Sequence, residues 1–380
     1  MRLLMLLQGK DPEDQIGYHS GFNTLVTERV LDGYFALPYR NCSTTNDWHR
    51  LYANAEKIVK EQDIDTLLLQ FFHGPQIPSP ELFIQNVRRS NPDLFVIATS
   101  GDGFGRFFNR LPRSILTAAR LADITFFTGM GYMAQMAVNA EAKNVVLMPN
   151  GCCRERFGEF DEDNIGLNRE FDLLFIGSNN AGRNPFSQLS SAGRLRNKMV
   201  TRLEQRYGCR FVLFGRNWSG HPSWQGSLPY SEQVSTIRRS RLVIGGFPGI
   251  RVPYYTSDRF FNSLVSGIPF LDFRVPRVDR FLVAGEDWYP YDDIESLVQL
   301  VDRLLDADQA ELQKRALVCR EAILARHTQY HRCKDMLAIT SRIRQMRNEG
   351  KRIAPQLPDC FHDRVDTSKE IPYAVLNWHG

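Results

Sequence analysis

Arg259, Asn262 and Ser266 recur at spacings of three and four in the stretch YYTSDRFFNSLVSGIPFLDF, residues 254–273. Such spacing places all three on one side of a short helix, while Phe260, Phe261, Leu264 and Val265 form an apolar stripe on the other. Ser257 is the expected N-cap and Gly267 the expected C′ residue. They bracket roughly two and a half turns over residues 258–266. The run IPFLDF that follows reads as a short buried strand. Free amides at the helix start, with Arg259 beside them, would hold an anionic phosphate group. Taken alone, the segment has a second reading, an amphipathic helix with one solvated arginine.

Other polar residues gather where apolar runs end. FIGSNNAGR turns at Gly177 and Ser178, and FGRNW repeats the arrangement with Gly215 and Arg216. A glycine-containing turn at a strand end lets backbone approach a phosphate or sugar closely. Tyr230, in the loop before the next helix, is placed to stack on a nucleobase. In the first half, His73 (HGP) and Asp102 (SGD) directly follow apolar runs, and His19 follows the first. A carboxylate or imidazole at a parallel-strand C-terminus faces the crevice where a general base works. Capping or loop hydrogen bonding is the alternative for each. Asp123 precedes a strand and is expected to order its loop.

Several chemistries lack their signatures. There is no GxGxxG or GK[ST] glycine loop, no GxSxG elbow, no HExxH, and no DxD before a polar loop. EFDEDN reads as solvated linker, so metal-free chemistry without a cofactor is expected, with no metal ligands assigned. Seven cysteines form no CxxC pair and are odd in number, which fits a reducing, cytoplasmic compartment better than a disulfide scaffold. The net charge of +4 is mild, and it permits a nucleic-acid partner without indicating one. Met1 to Gly9 is too short an apolar run for a membrane span and reads as a first buried strand, and no later run approaches spanning length.

These side chains need a frame, and the pattern supplies one. Apolar runs at RLLMLLQ, DTLLLQFF, LFVIATS, ITFFTG and VVLMPN alternate with helix-like stretches, the first of them GFNTLVTERVLDGY. The rhythm breaks at PNGCCRERFGEFDEDNIGLNREF, then resumes through FDLLFIGS, CRFVLFG, RLVIGG and IPFLDF. Short apolar runs separated by helices indicate parallel sheets covered on both faces. At 380 residues two domains are expected. The expected fold class is α/β: two doubly wound units, residues 1–165 and 166–330, facing a central cleft, with residues 331–380 packing back on the first.

In their order, these motifs resemble the GT-B glycosyltransferases. The likeness is to the spore-maturation-protein-like glycosyltransferase family, whose C-terminal half is similar to the family-four (group 1) domain. It is carried by VVLMPNG as crossover, FDLLFIGS with a downstream arginine (Arg194 or Arg196), RFVLFGRNW, LPYSEQV, SDRFFNSLVSGIPFLDF, FLVAGEDWYPYDDIESLVQLVDRLL and RHTQYHRCKDML. It spans roughly residues 60–340, and most strongly 171–336.

The resemblance implies a nucleotide-diphosphate-sugar donor held mainly by the second domain, with transfer to a hydroxyl acceptor. Gly177 and Ser178 would lie near the diphosphate or sugar, Arg196 would pair with phosphate, and Gly215 and Arg216 would lie near the nucleotide. Tyr230 would approach the base. Ser257, Arg259 and Asn262 would line the ribose and diphosphate, and the helix after His331 would brace the first domain. Asp102 or His73 would deprotonate the acceptor if the reaction inverts. The family-four pattern carries two glutamates separated by seven residues; here those positions are Tyr254 and Asn262. That departure leaves donor identity and stereochemistry open. The acceptor is a glycan, a protein or DNA carrying a hydroxylated base, and a catalytically silent nucleotide-sugar-binding protein is the other class.

Overall fold

Runs of four to six apolar residues are long enough to cross a sheet once, and amphipathic stretches between them must bury one face on it. The computed structural model describes residues 1–72, 77–103, 111–158, 169–179, 188–246, 251–350, 357–369 and 373–375. The first unit runs β1 (Arg2–Leu7), α1 (Ile16–Thr27), β2 (Gly33–Pro38), α2 (Thr45–Glu61), β3 (Thr66–Leu69), α3 (Glu81–Ser90), β4 (Phe95–Ser100), α4 (Arg113–Leu121), β5 (Ile124–Phe127), α5 (Tyr132–Asn139) and β6 (Asn144–Leu147). A one-turn α6 (Arg154–Phe157) follows. The second unit contains β7 (Phe171–Ile176), α7 (Gln188–Tyr207), β8 (Phe211–Phe214), α8 (Gln233–Arg238), β9 (Ser240–Ile244), α9 (Asp258–Leu264), β10 (Phe270–Phe273) and β11 (Tyr289–Tyr291). After it come α10 (Ile294–Asp306), α11 (Gln309–Arg326), α12 (Gln329–Glu349) and β12 (Tyr373–Val375).

Two sheets result. The first has the order β12-β6-β5-β4-β3-β1-β2, parallel except for β12, which pairs antiparallel with β6. The second, β11-β10-β9-β7-β8, is wholly parallel. In each sheet the winding reverses once, between β1 and β3 and between β7 and β9. At such a reversal successive connections leave on opposite faces and open a crevice at the strand C-termini. The chain is thus two doubly wound α/β units.

The first helix departs from expectation. It covers residues 16–27, earlier than GFNTLVTERVLDGY suggests, and residues 33–38 form the edge strand β2 instead. Every residue of β2 is only half-buried, as an edge strand allows, and its apolar YFALP overlaps the end of the helix-like stretch. The edge strands β11 and β12, three residues each, are too short to show as apolar runs.

Three elements tie the units together. Helix α12 leaves the second unit and packs on α1, burying Cys333, Met336, Leu337, Ile339 and Ile343 with Leu3, Met5 and Phe22. The crossover after β6 is held by Cys152 N–H to His327 O and by Asn150 Nδ2 to Thr256 O, both at 2.8 Å. Met130 N–H donates to Pro253 O at 2.9 Å, and one apolar cluster joins Phe127, Met130 and Met133 to Val252, Phe261 and Trp288. The boundary expected at residue 165 and the EFDEDN stretch lie outside the described residues. Among the described residues no helix is long and apolar enough to cross a membrane, and all seven cysteines are free thiols.

Candidate functional site

The strand C-termini of both units converge on a cleft of about 580 Å³. From the second unit it is lined by Arg196, Tyr230, Gly245, Gly246, Tyr255, Ser257, Asp258, Arg259 and Asp272. The first unit contributes Gln8, Asp14, Gln15, Tyr18, Phe71 and Gly101 to Gly103. Most of these residues, distant in sequence, meet here because they sit just beyond a strand end or near a helix start. Arg196 reaches in from the middle of α7 and Asp272 from within β10.

Two guanidinium groups dominate the second-unit wall. Arg196, in the middle of α7, is buried, and its Nη1 donates to Ser178 O at 2.8 Å. Arg259, at the start of α9, donates from Nη1 to Ile176 O at 3.1 Å. Both are anchored on the turn that leaves β7, so their charges lie close together. Burial, then the neighbouring Arg259, draws Arg196 down to about 10, and it stays cationic at neutral pH. Arg194 is exposed; of the two arginines singled out in sequence, Arg196 lines the cleft.

Asp272, on β10, completes the cluster. Its Oδ1 accepts from Phe273 N–H at 2.8 Å. Burial pushes its carboxyl up to about 7, and the Phe273 bond, Arg259 and Arg196 oppose that rise. The glycine pair ending RLVIGG brings backbone beside it: a Cβ on Gly245 would stand 3.2 Å from the Asp272 carboxyl carbon.

The other glycine turns serve behind the wall. Gly215 has φ +135°, and a Cβ there would come within 2.2 Å of Gly177 O, so the turns after β7 and β8 can touch only if this residue is glycine. Trp218 Nε1 donates to Gly177 O and Trp224 Nε1 to Gly215 O. Arg216 is exposed, and its N–H donates to Ser178 Oγ at 3.4 Å. Gly177, Ser178, Gly215 and Arg216 therefore scaffold Arg196 and Arg259 and are not among the cleft-lining residues.

Helix α9 is one turn and three residues long, ending at Leu264, with Gly267 at φ +74° beyond it. It is shorter than the 258–266 span expected. Ser257 is its N-cap by backbone conformation and lines the cleft, but its hydroxyl caps no amide. The polar face is not solvated either. Asn262 is 4% exposed and Ser266 fully buried, donating to Asn262 O at 3.0 Å. Asn262 Oδ1 accepts from Cys153 N–H at 3.1 Å, and its Nδ2 donates to Tyr230 OH at 3.2 Å. It thus lies behind the cleft surface, joining the interdomain crossover to Tyr230. The Tyr230 ring lines the cleft with the Arg156 guanidinium 4.7 Å above its centroid.

On the first-unit wall Asp102 is exposed to the cleft. Tyr255, from the second unit, lies beside it: burial raises the Tyr255 phenol, Asp102 and then Asp258 raise it further, and a hydrogen bond with the Gly103 backbone opposes the rise. His19 does not line the cleft. It sits in α1, with Nδ1 3.3 Å from Tyr34 OH and Nε2 3.3 Å from Asn23 Nδ2. The helix starts earlier than its sequence suggested, which turns the imidazole onto β2. His73 lies outside the described residues. Asp123 is buried and orders the sheet base, accepting from Val96 N–H and Arg88 Nη2, each at 2.8 Å.

Two facing doubly wound units with an arginine-lined cleft at both winding reversals form a specific architecture, and comparison with solved structures bears on it directly. Over 94% of this chain and 100% of the other, the backbone matches a protein from E. coli described as trehalose-6-phosphate bound with UDP-2-fluoro glucose (TM-score 0.60, 11% identity). Sucrose-phosphate synthase from Thermosynechococcus elongatus matches at TM-score 0.61 and 10% identity, over 92% and 100%. An alpha-glucosyltransferase in complex with UDP and a 13-mer DNA containing an HMU base matches at 0.57 and 13%, over 89% and 98%. The fold is GT-B. Residues 194–338 also match the model of a family described as glycosyl transferase-like, while a search of curated proteins finds no match.

Within the GT-B fold the matched segment runs from beside Arg196 to the middle of α12. It holds all the cleft-lining residues of the second unit together with the helix that returns to the first. Local spacing does not single out several cleft-lining residues, Gln8, Asp14, Arg156 and Asp258 among them; two more are Tyr255 and Asp272. Each adjoins a feature that was read, Tyr255 two residues before the N-cap and Asp272 inside IPFLDF. A lone acid in an otherwise apolar strand was the available signal for Asp272, since an ionisable side chain on a central strand must face something polar.

Proposed function

We propose that this cleft binds a nucleoside-diphosphate sugar and transfers its sugar to an acceptor hydroxyl without a metal ion. The observation that carries the reading is the pairing of Arg196 and Arg259 on one turn at the second winding reversal. Two fixed cations there match the two phosphates of such a donor and would stabilise the departing diphosphate. The short helix α9 adds little dipole of its own, so the guanidinium groups carry this role. Tyr230 would flank the base, Ser257 would meet the ribose or diphosphate, and Asp102 would take the acceptor proton in an inverting reaction. The order of motifs from 171 to 336 supports kinship with the spore-maturation-protein-like branch. Asp14 and Asp102 on the acceptor wall disfavour a polyanion there, which favours a neutral hydroxyl acceptor over DNA.

A thermal-shift series with UDP, GDP, ADP, TDP and their sugars tests the donor assignment. A ligand at a hundred times its Kd that binds only the folded state adds about 2.7 kcal/mol; if none of these raises Tm, the assignment fails. Sugar transfer unchanged by EDTA is the expected result for a metal-free reaction, and its abolition would refute that part.

Two further outcomes follow from the geometry. Asp272, with its carboxyl lifted to about 7, is ionised at pH 8 and opposes an anionic ligand, so diphosphate binding should tighten as pH falls from 8 to 6. The folded pKa lies above the ordinary value near 4, so the unfolded chain binds fewer protons between pH 4 and 7 and stability from this group declines across that window. Asp272→Asn should flatten the binding profile; a profile as steep as the parent's would count against the role. Asn262→Ala should weaken nucleotide binding about tenfold and cost about 1–3 kcal/mol of stability, because Cys153 N–H and Tyr230 OH lose their buried partner. Denaturant titration and calorimetry read the two effects separately.

A further inference from the structure

We propose that a chamber beneath the first-unit wall of the cleft is a water site, holding one ordered water bonded by Gln70, Ser100 and Thr128. The chamber measures about 10 Å³, the room one water needs. Gln70, Ser100 and Thr128 line it, and each carries one buried polar atom, Nε2, Oγ and Oγ1. All three atoms are buried without a hydrogen-bond partner among the described residues, and the residues are 2%, 1% and 4% exposed. Leu68, Phe126, Met148 and Met336 line it too, with Tyr18, Phe71 and Thr99. In so apolar a setting a single unpaired polar atom is unfavourable, and three around one small space are accounted for by a shared ligand.

The donor and acceptor pattern suits water. Gln70 Oε1 accepts from Gln8 N–H at 3.1 Å, which fixes the amide orientation and leaves its NH2 on the chamber side. That group can only donate, whereas each hydroxyl can donate or accept. A water accepting from Gln70 and donating to Ser100 and Thr128 makes three bonds, the usual number for a buried water. It would tie together the C-terminal ends of β3, β4 and β5.

The site lies one layer under the candidate acceptor wall. Tyr18 and Phe71 line both chamber and cleft. Phe71 holds φ +46°, a conformation rare for a bulky residue, with its N–H on Thr99 Oγ1 at 3.0 Å. Its ring lies where a side chain on Gly101 would stand, 2.8 Å from a Cβ built there. The water would therefore brace the strand ends from which the Asp102 turn springs, and it does not depend on the cleft's ligand.

A high-resolution crystal structure of the unliganded protein should show one density peak about 2.7–3.2 Å from all three atoms; no peak overturns the proposal. In solution the near-isosteric Thr128→Val should lower Tm by about 2 °C, since a bound water loses a partner. In a dry chamber the same change relieves a buried hydroxyl, so an unchanged or raised Tm overturns the proposal. Should that variant fail to fold, the crystallographic result on the parent decides.

Discussion

Arg259→Ala will fold like the parent and bind nucleoside diphosphates about 10–150-fold more weakly, the range that loss of a charged hydrogen bond worth about 1.5–3 kcal/mol represents. Arg259 is half-buried and its bond to Ile176 O holds it on the β7 turn. Truncation there removes charge from the cleft while water can reach the vacated carbonyl. Arg196→Ala should lose at least as much affinity and some stability besides, because Arg196 is buried and anchors Ser178 O. Arg196→Lys separates charge from shape: it keeps one cation but not the planar fork, so intermediate affinity is expected. Isothermal titration with the best-stabilising diphosphate measures all three. Parent-like affinity in Arg259→Ala would remove the central support for the diphosphate site.

Arg332→Ala should be the most destabilising single change, costing about 3–5 kcal/mol. Arg332 is completely buried at the start of α12, where the chain returns to the first unit. Its Nε donates to Pro149 O at 3.0 Å, Nη1 to Arg326 O at 3.2 Å, and Nη2 meets His327 Nδ1 at 2.8 Å. Asp335 balances part of the charge at 3.8 Å. Removing the guanidinium orphans the crossover carbonyl and the imidazole together. Because an arginine only donates, His327 Nδ1 must accept, so the ring is neutral with its proton on Nε2. Burial first, then the charges of Arg332 and Arg326, hold His327 well below the usual histidine range. The unfolded chain protonates it near pH 6.5 and the folded chain does not, so stability should fall as pH drops below that value. Urea titrations of parent and variant at pH 7.5 and 5.5 check both statements. A variant within about 0.5 kcal/mol of the parent, the level of an ordinary surface substitution, would show that the crossover does not depend on Arg332.

Much of the frame was legible because strand and helix periods are local. RLLMLLQ, LFVIATS, ITFFTG, FDLLFIGS and RLVIGG all became central parallel strands, since an apolar run buried on both faces has few other places to go. The edge strands β2 and β11 were not: β2 overlaps the end of the helix-like stretch GFNTLVTERVLDGY, and β11 is only three residues long. At the site, Asp102, Tyr230, Ser257 and Arg259 were legible through their positions just past strand ends or at a helix start. His19 meets Tyr34 of β2 and not the cleft because α1 begins at Ile16, ahead of GFNTLVTERVLDGY. Asp272 went unread because its significance lies in Arg196 and Arg259, 76 and 13 residues away.

By itself the sequence determined two doubly wound units, their order, and the arginine at the start of α9. Each of these depends on spacings within some twenty residues, over which periodicity and capping act. Only the tertiary structure decided which side chains share the cleft. Asn262 has the spacing of a surface ligand, yet it is drawn inward because Cys153 N–H and Tyr230 OH need a buried partner there. Arg194 and Arg196 are equally basic in sequence, but α7 turns one outward and aims the other at Ser178 O. Where a polar group finds its partner is a property of packing between distant segments, and local spacing does not encode it.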